Sequence, residues 1–127
     1  MSIDFLTIED VLAIHADQIQ RYGGDHGVRD LGMLASAVAQ PMVGFEGTFL
    51  HEDLFAMAAA YLFHIAQNHP FVDGNKRAAA VSALVFLDLN DTEVDPPDGS
   101  VYDLTMAAAQ GLVDKKQIAD TLRSWSV

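Results

Sequence analysis

The strongest constraint on the fold is a segment near the middle of the chain that is apolar on almost every side. Residues 53–68, DLFAMAAAYLFHIAQN, predict a helix with no polar face. Such a helix must be surrounded by other elements rather than lie on a surface. Residues 75–89, NKRAAAVSALVFLDL, have the same character beyond their first turn. We therefore expect two central, buried helices.

Amphipathic segments supply the helices that surround this pair. Thr7 and Asp10 form a near capping box that opens a first helix, which ends at Gly23-Gly24. A second helix is expected over about residues 30–39. The remaining two run from Ser100, as a cap, to about Gln110 and from Asp114 through Trp125. The residues expected to face inward on the first two helices are Val11, Leu12, His15, Ile19, Tyr22, Leu31, Leu34, Ala35 and Val38.

No segment predicts a strong strand. The glycine-punctuated residues 41–50 are expected to form a short hairpin or an irregular flap over a site. The 127 residues contain no repeat or linker and suit a single domain. The sequence thus predicts an all-α domain over residues 1–127, a bundle of about six helices.

Composition excludes several classes of function. The chain has no cysteine, which excludes disulfides and thiolate metal sites and fits the reducing cytoplasm, where we expect the protein to be. A net charge of −11 argues against binding DNA or RNA, because phosphate contacts need a basic surface. We also expect no signal peptide and no membrane span.

The join between the two central helices, HPFVDGNKR, places two cations where a helix does not favour them. Lys76 and Arg77 occupy the first turn, which already carries partial positive charge, although the chain has only seven Lys and Arg. Gly74 permits a tight turn and close approach of a ligand to the backbone. The N–H groups from Asn75 onward then form a cradle for an anion such as a polyphosphate.

The same loop carries two further groups that suit phosphate chemistry. His69 can remove a proton from a hydroxyl near neutral pH. Asp73 is a hard carboxylate beside the cradle, the arrangement in which Mg²⁺ is commonly held together with substrate phosphates. A base, a metal ligand and an anion cradle within nine residues predict phosphoryl or nucleotidyl transfer.

Each of these residues also has a purely structural interpretation. His69 can serve as a helix-end residue, Asp73 or Asn75 as a helix cap, and Lys76 and Arg77 as partners of nearby acidic residues. The remaining histidines are weaker candidates, and we expect the rings of His15 and His64 to be satisfied members of the core.

HPFVDGNKR resembles the motif of the Fic/Doc superfamily, specifically the Doc (death-on-curing) toxin branch of the Phd/Doc toxin–antitoxin systems. The similarity continues through YGGDHGVRDLGMLASAVAQP and the C-terminal LTMAAAQGLV, and so covers nearly the whole chain. Fic enzymes that transfer AMP from ATP carry Gly after the Asn and a second Arg three residues after the first. Lys76 and Ala80 stand at those positions here, which matches the Doc branch.

The resemblance implies a protein kinase-like phosphotransferase, with ATP as substrate and Mg²⁺ as cofactor. It would move the γ-phosphate to a hydroxyl of a translation factor similar to elongation factor Tu and so block translation. His69 would be the base and Asp73 the metal ligand, while Gly74, Asn75, Lys76 and Arg77 would hold the phosphates. The implied partner is a Phd-like antitoxin. AMP transfer and a catalytically inactive module that binds an anion or a partner remain the alternatives.

Overall fold

The computed structural model describes residues 2–127, and the all-α prediction is confirmed. A 3₁₀ turn (Gln40–Met42) leads from the second helix into a two-stranded antiparallel hairpin, and no other strand lies within these residues. The strands are β1 (Gly44–Phe45) and β2 (Thr48–Phe49). The helices are α1 (Ile8–Tyr22), α2 (Leu31–Ala39), α3 (Leu54–Asn68), α4 (Asn75–Leu89), α5 (Ser100–Ala109) and α6 (Lys115–Ser124).

Helix α3 is the centre of the molecule, as its sequence predicts. It packs against α2, α4, α5 and α6, while α4 also contacts α1 and α5. Six consecutive residues, 57–62, are buried, which is possible only for a helix covered on all sides. Ala78, Ala79 and Ala83 of α4 are fully buried, and their small side chains let the two central helices approach closely.

A buried hydroxyl helps to hold the N-terminal segment on this core. The Oη of Tyr61 accepts a hydrogen bond from the Leu6 backbone N–H at 2.8 Å, and its ring packs against Phe86. Burial raises the pKa of Tyr61 to about 12. The hydroxyl therefore stays protonated near neutral pH.

The predicted hairpin is present, but it does not cover the HPFVDGNKR loop. The ring of Phe49 packs edge-on against Phe5, which in turn lies 5.9 Å from Phe86 between ring centroids. Phe86 is eleven residues beyond Asn75, about 16 Å along α4. The hairpin therefore lies towards the opposite end of α4 from the loop, and the expectation of a flap over the site is wrong.

Helix starts were predicted with mixed success. The capping box of Thr7 and Asp10 is confirmed, and Asp114 caps α6 in the same way. Ser100 is not a cap: Gly99 precedes α5 in the left-handed conformation, and the Ser100 hydroxyl donates to the Pro97 carbonyl. Among the side chains expected to face inward, Leu31 and Tyr22 are instead largely exposed. None of the helices over residues 2–127 is long and apolar enough to cross a bilayer.

His64 is half-buried and lies beside a cation rather than within the apolar core. Its Nε2 lies 3.2 Å from the Lys115 Nζ, and the Nε2 of the buried His51 lies 3.3 Å from the same atom. Burial and the Lys115 ammonium lower the pKa of His64 from 6.5 to about 4. The two rings therefore accept hydrogen bonds from the ammonium group as neutral imidazoles.

We predict that this cluster makes stability fall in acid. The unfolded chain takes up a proton on His64 below about pH 6.5, whereas the folded chain does so only near pH 4, so the contribution is present above pH 6.5 and lost as the pH falls through 4. After allowance for screening at a half-exposed ring, we expect a loss of about 1–2 kcal/mol in the free energy of unfolding. His64→Gln should remove it in urea titrations across this range.

Two lysine variants test the assignment. Lys115→Met should reduce the loss of unfolding free energy in acid, because it removes the charge that opposes protonation of His64. The neighbouring Lys116, which pairs with Asp120, provides the matched control. In Lys116→Met the unfolding free energy should depend on pH as it does in the wild type. The prediction would be contradicted if the unfolding free energies of wild type and His64→Gln fell equally between pH 6.5 and 4.

Candidate active site

Two residues in the left-handed conformation turn the chain from α3 into α4. His69 ends α3 with φ 51° and ψ 54°, and the buried Pro70 that follows cannot continue the helix. Gly74 precedes α4 with φ 76°. This conformation favours glycine, and a Cβ at Gly74 would lie 2.9 Å from the Ile19 Cδ1 of α1, so a larger residue would also have to displace the end of that side chain.

Helix α1 holds the middle of the loop through His15. The imidazole of His15 is buried and stacks on the buried Phe71 ring, with centroids 3.7 Å apart and planes within 4°. Its Nε2–H donates to the Asp73 carbonyl at 2.7 Å. The expectation of a satisfied core histidine is confirmed, but its role in positioning Asp73 could not be predicted from the sequence.

The segment of residues 24–30, GDHGVRD, forms a brace along the outer side of the loop. The N–H groups of Arg29 and Asp30 both donate to the Pro70 carbonyl, and Val72 N–H donates to the Gly27 carbonyl. A Cβ at Gly24 would lie 2.6 Å from the Asp73 Oδ2, so this glycine leaves the space that the carboxylate occupies.

Arg29 of this brace also closes the end of α3. Its Nε donates to the His69 carbonyl at 2.7 Å and its Nη2 to the Asn68 carbonyl at 2.9 Å. A cation is favourable at a helix C-terminus, where carbonyl groups lack helical partners. Arg29 thereby fixes the backbone that carries the His69 ring.

Asn75 ties the loop to His69 instead of capping α4. Its Oδ1 accepts from the Phe71 N–H at 2.9 Å, and its Nδ2 donates to the Phe71 carbonyl at 2.9 Å. The same Nδ2 lies 3.0 Å from Nδ1 and 3.3 Å from Nε2 of His69. Being almost equidistant from both ring nitrogens, the amide lies across the imidazole rather than in line with one lone pair.

The first turn of α4 has no side-chain cap. Glycine stands at the N-cap position, and Asp73, the other predicted cap, uses its Oδ1 to accept from the Gly74 N–H at 2.8 Å. Within residues 2–127, no acceptor is found for the N–H groups of Asn75, Lys76 and Arg77. These donors are available to a bound anion.

The two cations of this turn have different surroundings. Arg77 donates to the Gln18 carbonyl at 3.1 Å and to the Gly23 carbonyl at 3.0 Å, and so joins α4 to the end of α1. Lys76 is exposed. Neither side chain lies within 4 Å of a carboxylate in the described part of the chain. Ion pairing therefore does not account for their position.

A cleft of about 570 Å³ opens beside this turn. It lies between the start of α4, the start of α5 and the Gln18 side of α1. His69 is not among the lining residues; its ring contacts Asn75, which is. The lining residues are Gln18, Asp73, Gly74, Asn75, Lys76, Arg77, Ala80, Val81, Val101, Tyr102, Thr105 and Met106.

Asp73 fits the requirements of a single protein ligand for Mg²⁺. Its carboxylate is exposed and lines the cleft, with one oxygen bonded to Gly74 and the other 3.4 Å from the Asp25 N–H. No group of three or more His, Asp or Glu side chains suited to a metal occurs within residues 2–127. Phosphate oxygens and water would therefore complete the coordination, as Mg²⁺ prefers.

The sequence also matches known proteins. The model of the family described as "Fic/DOC family" matches residues 5–87. A curated relative from Escherichia phage P1, "Protein kinase doc", is 41% identical over 118 residues, which cover 91% of this chain and 90% of the relative. "Toxin Doc" of Mycolicibacterium smegmatis is 42% identical over 91 residues, covering 72% of this chain and 68% of the relative.

We predict that Arg29 stabilises the end of α3. Arg29→Met should leave the Asn68 and His69 carbonyls without their charged donor and lower the free energy of unfolding by about 1 kcal/mol. Arg21→Met is the matched control, because the ion pair of Arg21 with Asp17 lies on the exposed surface of α1, and it should cause no measurable change. Equal urea midpoints for the two variants would contradict the prediction.

Proposed function

Because this chain belongs to the Fic/DOC family, we propose that it is a Doc-type toxin that transfers the γ-phosphate of ATP to a protein hydroxyl. One observation carries the proposal. An uncapped helix start, with N–H groups and a Lys76 ammonium that have no partner within residues 2–127, opens onto a cleft lined by Asn75, the residue whose amide contacts the His69 ring. This arrangement costs helix stability unless an anion occupies it.

The proposed reaction begins with a proton transfer to His69. In the neutral imidazole one nitrogen is unprotonated, and it takes the proton of the attacking hydroxyl. The hydroxyl oxygen then forms a bond to the γ-phosphorus, the bond from that phosphorus to the β,γ-bridging oxygen breaks, and ADP leaves. Asn75 and Arg29 keep the imidazole and its backbone in place during this step.

The phosphate groups would bind at the start of α4. The N–H groups of residues 75–77 and the Lys76 ammonium face the charge that develops on the transferred group. Arg77 holds α1 and α4 together and adds positive charge at the rim of the cleft. Mg²⁺ bound by Asp73 would neutralise charge on the phosphate oxygens.

Lys76 supports phosphate transfer over AMP transfer. In the Fic pattern a glycine at this position leaves room for a phosphate to press against the backbone. A lysine side chain fills that room and adds its own charge, so the nucleotide must sit differently and present another phosphorus to the hydroxyl. AMP transfer remains the second candidate, since HPFVDGNKR otherwise keeps the Fic pattern, although Ala80 also replaces its second arginine.

The proposal includes two protein partners. We propose that the acceptor is a translation factor similar to elongation factor Tu, and that a Phd-like antitoxin inhibits the toxin in the cytoplasm. The named relatives are described as a kinase and as a toxin, which supports both activity and toxicity.

Labelled ATP tests the reaction. With elongation factor Tu as acceptor, label in the γ position should appear on the protein and label in the α position should not. His69→Ala should reduce transfer by about 100-fold or more, because it removes the base. His26→Ala is the matched control, because His26 is exposed and forms no hydrogen bond to the loop, and it should keep the wild-type rate.

Two results would contradict the proposal in different ways. Transfer of the α label alone would replace phosphorylation by AMP transfer. If expression of the wild type and of His69→Ala harmed the host equally, with no label transferred, the protein would act as a binding module without catalysis.

A further inference from the structure

The cleft beside α4 has two chemically different halves. One half contains the uncapped helix start with Lys76 and Arg77 and suits phosphate. The other half is apolar and is formed by the second turn of α4 and the first two turns of α5. The apolar half is lined by Ala80, Val81, Val101, Tyr102 and Met106. A ligand that fills the cleft is therefore anionic at one end and apolar at the other.

Tyr102 contributes an exposed aromatic ring to this lining. Its exposed fraction is 67%, whereas Val101 and Met106 beside it are partly buried. Tyr102 and Met106 are four residues apart on α5 and thus share one face of the helix. An exposed ring next to a polarizable thioether offers a flat surface on which another ring can stack.

We propose that Tyr102 is the stacking platform for the purine base of the nucleotide whose phosphates bind at the start of α4. The inference rests on the proposed function and extends it to the recognition of the base. Val81 and Met106 would contact the same base from the sides of the cleft.

The dimensions of the cleft suit this occupant. Its volume of about 570 Å³ lies within the range of small-molecule sites. Lys76 and Val81 are five residues apart, about 7.5 Å along α4, which separates the phosphate half from the base half. With the base on α5, the phosphates extend towards the start of α4, and the terminal phosphate lies on the side of the loop that precedes this helix. This order agrees with transfer of the γ-phosphate.

A partner helix fits the apolar half less well. Helix-in-groove binding uses anchors spaced over two or more turns, and the apolar lining spans only two residues of α4 and three of α5. The half is also continuous with a cationic helix start, which an apolar helix face would leave unpaired. We therefore assign the surface to a nucleotide.

Calorimetric titration of the whole chain with MgATP, and separately with magnesium tripolyphosphate, tests the proposal. Tyr102→Ala should weaken ATP binding by about tenfold, the effect of losing one base–aromatic stack, and leave tripolyphosphate binding within about twofold. Tyr102→Phe keeps the ring and should bind ATP like the wild type. Phe45→Ala, which removes an exposed aromatic ring from the hairpin, is the matched control and should change neither affinity.

Activity provides a second readout. In the γ-label assay Tyr102→Ala should raise the KM for ATP about tenfold and keep kcat, because stacking binds the base without touching the transferred phosphate. A fall in kcat at unchanged KM would overturn the assignment.

The outcomes separate this inference from the proposed function. If the wild type binds tripolyphosphate as tightly as ATP, or if Tyr102→Ala weakens both ligands equally or neither, the base platform is refuted while the phosphate cradle stands. If the wild type binds neither ligand, the proposed function and this inference both fail.

Discussion

Burial of α3 on all sides is the constraint on which the rest of the structure depends. A helix without a polar face must be covered by other elements on every side, and α2, α4, α5 and α6 cover α3. Close packing of α4 on α3 then brings the C-terminus of α3 and the N-terminus of α4 to the same surface. These are the two helix ends with opposite partial charges, and the loop between them is short. Arg29 closes the carbonyl end, and the N–H end is left open. The site is thus a consequence of how the core is covered.

Local patterns predicted the fold well where the deciding contacts are close in sequence. The capping box at Thr7, the end of α3 before Pro70 and the apolar character of α3 and α4 all depend on residues within one or two turns. The predictions failed where distant contacts decide. The hairpin formed as expected, but its position depends on the packing of Phe49 against Phe5, which only the tertiary fold brings together.

The site shows the same division between local and distant contacts. His69, Asp73 and Asn75 could be grouped from the sequence because they belong to one loop. The residues that hold this loop could not, since His15 is 58 residues from Asp73 and Arg29 is 40 residues from His69. The sequence also could not show how the candidates use their side chains. Both predicted caps, Asp73 and Asn75, make other hydrogen bonds, and Arg77 donates hydrogen bonds to carbonyl groups at the end of α1.

These assignments explain why the first turn of α4 carries cations. A serine or aspartate at the N-cap would satisfy the open N–H groups and typically stabilise the helix by about 1 kcal/mol, but it would also occupy the place of an anion. Glycine at position 74 leaves that place open, and the hydrogen bonds of Asn75 keep its amide away from it. Arg77 offsets part of the cost by bonding to carbonyl groups of α1. Lys76 has no such compensation within residues 2–127, so its charge is the one for which a bound phosphate makes the largest difference.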